Sequence, residues 1–322
     1  METAARYRNF AEREVHDYSP CYERWCLGIS GDTELLALIE TLPVYKRQPN
    51  LVLGAARYLG VTVGPFEEFK DFLIANWAQV REVAMTRRTQ TNEVGRPAVL
   101  LPLLSRYGSD PVALIEFGTS AGLCLYPDRY SYTYDGGPVL DPLDGRSSVV
   151  LPCATTGNPP LPDRLPNVVH RAGIDLNPLD VSDPDDLRWL ESLVWPEQRN
   201  RLDRLHNAAL IACRDSPRLV RGDLMKSLSD VVREAPAGVP VIVFGSAVLL
   251  YLPKEDRAAV PAMMQELGFL RTHRRTVLGR SIRAFLPAGF GRRPVMSTSE
   301  GGARAEPLPP RRRSRGPHAW SC

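Results

Sequence analysis

The segment IEFGTSAGL, residues 115–123, follows an apolar run and sets Gly118, Ser120 and Gly122 at alternate positions. Three chemistries use a turn of this kind. A dinucleotide fingerprint, GxGxxG, needs a small residue five places after the first glycine so that a helix can pack close to a pyrophosphate. Leu123 stands there, so the spacing does not suit it. A GxSxG nucleophile elbow is matched literally by residues 118–122 and would make Ser120 the nucleophile. It would draw an acid and His206 or His273 from downstream, but the segments upstream read as helices, with no strand to supply an oxyanion loop. A methyltransferase-type loop, E/DxGxxxG, is matched by Glu116, Gly118, Ser120 and Gly122. Glycine allows close backbone approach there. A helix following the turn would point free N–H groups at an anionic carboxylate.

The third reading makes further demands, and later segments meet them. A second strand should end in an acid that binds ribose hydroxyls, and AGIDLNP puts Asp175 in that place. A third strand should be followed by an acid within reach of adenine, and LVRGDL supplies Asp223. The fourth, VIVFGSAVLLYL, ends at Gly245 and Ser246, where substrate groups gather at the carboxyl edge of a parallel sheet. Taken singly, Asp175 reads as a turn residue with Asn177 and Pro178, and Asp223 as the N-cap of the helix after it. Taken in order, the acids favour the site: Glu116 and the 118–122 turn for the methionine end of S-adenosylmethionine, Asp175 for its ribose, Asp223 for its adenine. The catalytic residues are not fixed by these motifs; Ser246, Tyr251 and Glu93 are the candidates.

These residues need a scaffold. Apolar periodicity predicts helices over much of residues 4–107: one after Asp32, one opened by Pro49, one opened by Pro65 and running through residue 85, and one from Arg96 to Tyr107. From Pro111 the pattern changes to short continuous apolar runs, VALIEF, VVHRAGIDL, PRLVRGDL and VPVIVFGSAVLL, the last three separated by helix-like segments. That alternation predicts an α/β fold with a Rossmann-like parallel sheet preceded by an all-helical N-terminal domain. The predicted divisions are 1–108 helical, 109–270 nucleotide-binding with an insertion at 126–167 that reads as a surface loop or a hairpin, and 271–322 a basic, disordered tail.

The chain of 322 residues has a net charge of +3, but the tail alone carries 12 Arg and 2 Glu, so the body is acidic. RRRSR at 311–315 can touch phosphates nonspecifically, yet no nucleic-acid module accompanies it. Six scattered cysteines and five scattered histidines form neither a disulfide framework nor a metal motif. With no signal-like start and no apolar run long enough for a bilayer, the expectation is a cytoplasmic protein without membrane partners.

Seven segments give the chain a resemblance to an uncharacterised bacterial domain-of-unknown-function family: KRQPN (46–50), TQTNEVGR (89–96), IEFGTSAGLCL (115–125), GIDLNPLDV (173–181), WPEQ (195–198), VRGDL (220–224) and FGSAVLLYLP (244–253). The resemblance covers about residues 5–270. It implies a helical N-terminal part and a fold similar to class I S-adenosylmethionine-dependent methyltransferases, but no established reaction; on the methyltransferase reading the acceptor is a small molecule or a macromolecule. The family usually has His at position 245 and Asn at position 124, where this chain has Gly245 and Cys124. The other readings are a noncatalytic nucleotide-binding or scaffold protein on the same fold, and a Ser120 hydrolase. KRQPN and TQTNEVGR read either as helix caps with local ion pairs or as a lid over the cofactor cleft. Trp195 is expected to anchor a helix on the sheet.

Overall fold

The computed structural model describes the backbone of residues 2–90, 92–156, 160–245, 248–249 and 252–272, with side chains to Leu267. Helices α1 (Glu2–Phe10), α2 (Pro20–Gly31), α3 (Thr33–Glu40), α4 (Pro49–Tyr58), α5 (Phe66–Ala75), α6 (Trp77–Thr86) and α7 (Pro97–Leu104) precede the first strand. Local chemistry sets their ends. Asp32 Oδ1 accepts the N–H groups of Glu34 and Leu35 at 3.0 Å, capping α3. Pro49 and Pro97 occupy first turns, where a missing N–H costs nothing. The single helix expected after Pro65 is two: Asn76 donates its side-chain amide to Phe72 O at 2.8 Å and its backbone N–H to the same oxygen, which closes α5 before α6 starts at Trp77. Helix α2 is capped by Ser19 and was not legible from periodicity.

Strands β1 (Pro111–Phe117), β4 (Asn167–Asp175), β5 (Arg218–Arg221) and β6 (Val241–Phe244) form one parallel sheet in the order β5-β4-β1-β6. Phe117 pairs with Ile174, and Glu116 with both Gly173 and Phe244, so the carboxyl ends of β1, β4 and β6 finish side by side. Alternate β1 residues face opposite ways. Ile115 and Phe117 join Ala172 and Ile174 in a core with helices α10 (Leu224–Glu234) and α11 (Lys254–Thr272). Val112 and Leu114 belong to a larger core shared with the N-terminal helices and with α8 (Pro184–Leu193) and α9 (Arg199–Arg214). Residues from Tyr7 to Ala212 thus bury their apolar sides together, and the helical part rests on one face of the sheet. Among the described residues no helix is long and apolar enough to cross a membrane.

Two local expectations are corrected. No α-helix follows the Gly-rich turn; Leu123–Leu125 make one 3-10 turn instead. All three are buried, so a helix there would have no solvent face, and Pro127 turns Tyr126 away from helical backbone. The insertion at 126–167 is not a hairpin. Its strands β2 (Ser131–Tyr134) and β3 (Val150–Cys153) pair in parallel, with an antiparallel bridge between Tyr132 and Leu140 on the way. Tyr126, Tyr130 and Tyr132 are fully buried and donate their hydroxyls to the carbonyls of Asp215, Leu123 and Pro127. Buried tyrosines need such acceptors, and the insertion is therefore a part of the core.

Candidate functional site

The turn after β1 is closed by bonds from three directions. Gly118 N and Thr119 N both donate to Ile174 O, at 2.7 and 3.3 Å. Ser120 N donates to Asp175 Oδ2 at 2.8 Å, Ala121 N to Asn92 Oδ1 at 3.3 Å, and Gly122 N to Thr119 O at 2.8 Å. The backbone needs left-handed φ at alternate residues: +67° at Gly118, +52° at Ser120 and +73° at Gly122. Ser120 alone of these carries a Cβ, at a cost of about 1–2 kcal/mol. Gly173 on β4 makes room for the turn, since a Cβ there would lie 2.5 Å from Thr119 Cγ2.

Asp175 sits at the end of β4, beside the turn. Besides Ser120 N, it accepts Asn177 N at 2.8 Å through Oδ1. A carboxylate offers about four lone-pair positions, so both oxygens keep acceptor capacity. Asp223 Oδ1 accepts Met225 N at 2.8 Å and caps α10, as its local sequence suggests. Glu116 is buried beneath the turn, where it accepts the Thr119 hydroxyl at 2.9 Å. Ser246 and Tyr251 lie outside the described residues. A Cβ on Gly245 would come 2.2 Å from Phe117 Cε2, so a larger residue there requires Phe117 to move.

The helical part reaches this edge through one segment. The Gln90 amide exchanges bonds with Asn177, donating to its backbone oxygen at 2.7 Å and accepting from its side chain at 3.3 Å. The Asn92 amide donates to Ser120 Oγ at 2.6 Å while accepting Ala121 N. Helix α7 starts without a side-chain cap; Asn92 is spent on tertiary contacts, and Glu93 accepts a local bond from Gly95 N at 3.0 Å as well as making tertiary ones. Glu93 meets α9: its Oε2 lies 2.7 Å from Arg201 Nε, and its Oε1 lies 3.5 Å from Arg204. Cys124 donates its thiol to Glu93 O at 3.5 Å, and burial pushes that thiol's pKa far up, so it is a neutral contact. Past Asn177 opens a cleft of about 400 Å³ bordered by Tyr58, Thr86, Arg87 and Asp185. Arg87 is held there by ion pairs to Asp185 and Asp186 and lies over the Tyr58 ring.

A Ser120 hydrolase would need a histidine at this point. His206 bonds Glu191 at 2.6 Å, and His273 lies outside the described residues. The Ser120 hydroxyl accepts from the Asn92 amide.

A family described as an uncharacterised protein conserved in bacteria (DUF2332) matches residues 4–279. The chain belongs to this family. No curated protein and no solved structure matches the chain. The DUF2332 match takes in all seven of those segments and runs past Thr272, the last described residue. Several of the family segments hold one another. In KRQPN, Lys46 Nζ donates to Arg87 O, Arg47 donates to the carbonyls of Glu40 and Leu42 at the end of α3, and Asn50 accepts the Trp195 indole N–H at 3.0 Å. Trp195 is expected to anchor a helix on the sheet; instead the contacts of WPEQ tie together the N-terminal helices. Trp195 meets Phe10 edge-on, and Glu197 accepts Ser19 Oγ at 2.6 Å and Cys21 N at 2.8 Å at the start of α2. Sequence reasoning missed Glu197, Arg201 and Arg204; an acid beside a conspicuous Trp-Pro pair was the available signal for the first.

Proposed function

We infer that this DUF2332 protein binds S-adenosylmethionine on a Rossmann-like sheet and acts as a class I-type methyltransferase. The observation that carries the reading is the sheet. Numbered in chain order its four strands run 3-2-1-4, the first four of the doubly wound order 3-2-1-4-5-6, with β6 on the far side of β1 from β4. The order reverses at β1, and ligands of such folds bind outside the carboxyl ends at that point. The Gly-rich turn and Asp175 stand there, 2.8 Å apart.

The residues fit the two ends of the cofactor unequally. Asp175 retains lone pairs for ribose hydroxyls. Asp223, at the neighbouring strand end, keeps an oxygen beyond its cap bond for an adenine amine. Glu116 acts indirectly: it fixes Thr119 and thereby the shape of the turn. The five turn amides already have acceptors within the chain, so the anionic end needs other donors. When bound, the cofactor supplies a sulfonium methyl group. Transfer then depends chiefly on holding the acceptor in line, which requires no catalytic triad. Asn92 and Gln90 are placed to orient a ligand between the turn and Asn177.

A second reading rests on those same satisfied amides: a DUF2332 protein that uses this fold as a scaffold without catalysis. Calorimetry with S-adenosylmethionine and with its demethylated product, S-adenosylhomocysteine, separates the two. Binding by wild type, weakened in Asp175→Ala, supports the first. A folded wild type that binds neither ligand overturns it.

A further inference from the structure

Beside the Gly-rich turn lies a charge cluster with a surplus. Glu93, on the segment that grips the turn, faces both Arg201 and Arg204 from the first two turns of α9. One carboxylate thus answers two guanidinium groups. Their other bonds do not use up the surplus. Arg201 donates to Gln198 Oε1 at 3.0 Å, a neutral acceptor. Glu93 Oε1 is shared with Gly95 N at 3.0 Å. Arg204 Nε is a buried donor with no hydrogen-bond partner among the described residues. Arg201 Nε is also without an aligned acceptor, although Glu93 Oε2 is close.

Burial costs the Arg201 charge stability, and Arg96 and Arg204 repel it; together these outweigh Glu93 and lower its pKa. Positive charge held in this way favours an incoming anion, and planar guanidinium forks match carboxylate and phosphate oxygens. Solvent reaches the cluster: the side chains of Glu93, Arg201 and Arg204 are 22%, 20% and 21% exposed.

We propose that Arg201 and Arg204, with Glu93 between them, form an anion-binding subsite next to the Gly-rich turn, which takes a carboxylate or phosphate of a ligand lying over that turn. The proposal deepens the methyltransferase reading and rests on it for the ligand's identity alone. The turn amides are occupied, and among the described residues these arginines are nearby donors with capacity to spare. Two sources share the chemistry: the amino-acid carboxylate of the cofactor, and an anionic group on the acceptor.

The test uses the full chain and two probes. In thermal melting, phosphate is compared with chloride at equal ionic strength. Phosphate raises the wild-type midpoint. Arg204→Gln, and independently Arg201→Gln, remove the difference, while Glu93→Gln, which frees both arginines, enlarges it. A response unchanged in both arginine variants, or absent from wild type, overturns the subsite. Calorimetry then assigns the source, with S-adenosylhomocysteine against methylthioadenosine, which lacks the amino-acid end. Loss of about tenfold in S-adenosylhomocysteine affinity in Arg204→Gln, with methylthioadenosine unaffected, places the cofactor's carboxylate there. Equal affinities in variant and wild type assign the subsite to the acceptor. If wild type binds neither nucleoside, the methyltransferase reading fails, and the phosphate response alone decides the subsite.

Discussion

The Asp175 carboxylate accepts the Ser120 amide N–H at 2.8 Å, and through that bond the end of β4 fixes the turn that follows β1. Its other oxygen holds Asn177 N. Asp175→Ala would leave two partly buried donors unsatisfied, at about 1–3 kcal/mol each. We expect a lower urea midpoint at unchanged slope, with Asp175→Asn, which keeps one acceptor, recovering part of the loss. An alanine variant as stable as wild type would show that the turn holds its shape without this clamp.

Gly118 and Gly136 make a matched pair for separating strain from crowding. Both have left-handed φ, +67° and +72°. A Cβ on Gly118 would meet Val248 Cγ2 at 2.4 Å, whereas one on Gly136 meets nothing within 4 Å. Gly136→Ala should cost only the backbone term, about 1–2 kcal/mol. Gly118→Ala should add an overpacking term of about 1–3 kcal/mol. The double variant Gly118→Ala with Val248→Ala should return toward the Gly136→Ala value. Equal losses in the two single variants would mean that Val248 yields freely.

The apolar run before Gly118 was legible as a strand because a buried parallel strand leaves no polar alternation to confuse it; the runs through Asp175 and before Gly222 carry polar residues and were legible from their place in the strand–helix alternation. The acids at their ends were legible as site candidates by position alone. Their partners were not. Nothing local to TQTNEVGR says that Asn92 reaches 28 residues ahead to Ser120, or that Glu93 faces α9 across more than 100 residues. At three residues the neighbourhood left the use open or pointed elsewhere. Asn92 and Glu93 sit just before a helix, where capping is the common use of such residues, and Gly122 sits before what resembles a helix start. In the fold, the buried run Leu123–Leu125 and Tyr126-Pro127 deny that helix a solvent face, and the tyrosine-lined insertion takes its place.

Arg171 joins that insertion to the sheet. It rises from the middle of β4 with a 6% exposed side chain, pairs with both oxygens of Asp128 at 2.7 Å, reaches Asp215 at 3.2 Å, and lies over the Tyr126 ring. Arg171→Met would leave the mostly buried Asp128 carboxylate with only the more exposed Arg129, 3.4 Å away, as a counter-charge, a loss toward the lower end of about 3–5 kcal/mol. Adding Asp128→Asn should restore much of it, because the uncompensated charge and not the missing pair dominates that cost. Denaturant melts of the two single variants and the double variant give the coupling. Additive losses would show that solvent already screens the pair.

The start of α3 carries a pH dependence of definite sign. Burial alone would raise the Asp32 pKa. The Lys70 ammonium, 2.7 Å from Oδ2, and the two amides on Oδ1 outweigh that and hold it below the ordinary carboxylate value. A lowered pKa in the folded state means that folding favours the ionised form. The added stability is therefore full above the unfolded value of about 3.9, and it is lost as pH falls through the folded value. Asp32→Ala should cost about 1 kcal/mol at neutral pH through the lost cap, and the gap to wild type should narrow only in acid, below about pH 4. Asp32→Asn keeps a capping oxygen but not the charge. Its gap to wild type at neutral pH should be the smaller of the two, and it should close over the same acid range. Urea midpoints at pH 7, 5 and 3 for the three proteins check this. A gap between wild type and Asp32→Asn that persists undiminished at the lowest pH would mean that the Lys70 pair contributes nothing, and that Asp32 acts at α3 through its shape alone.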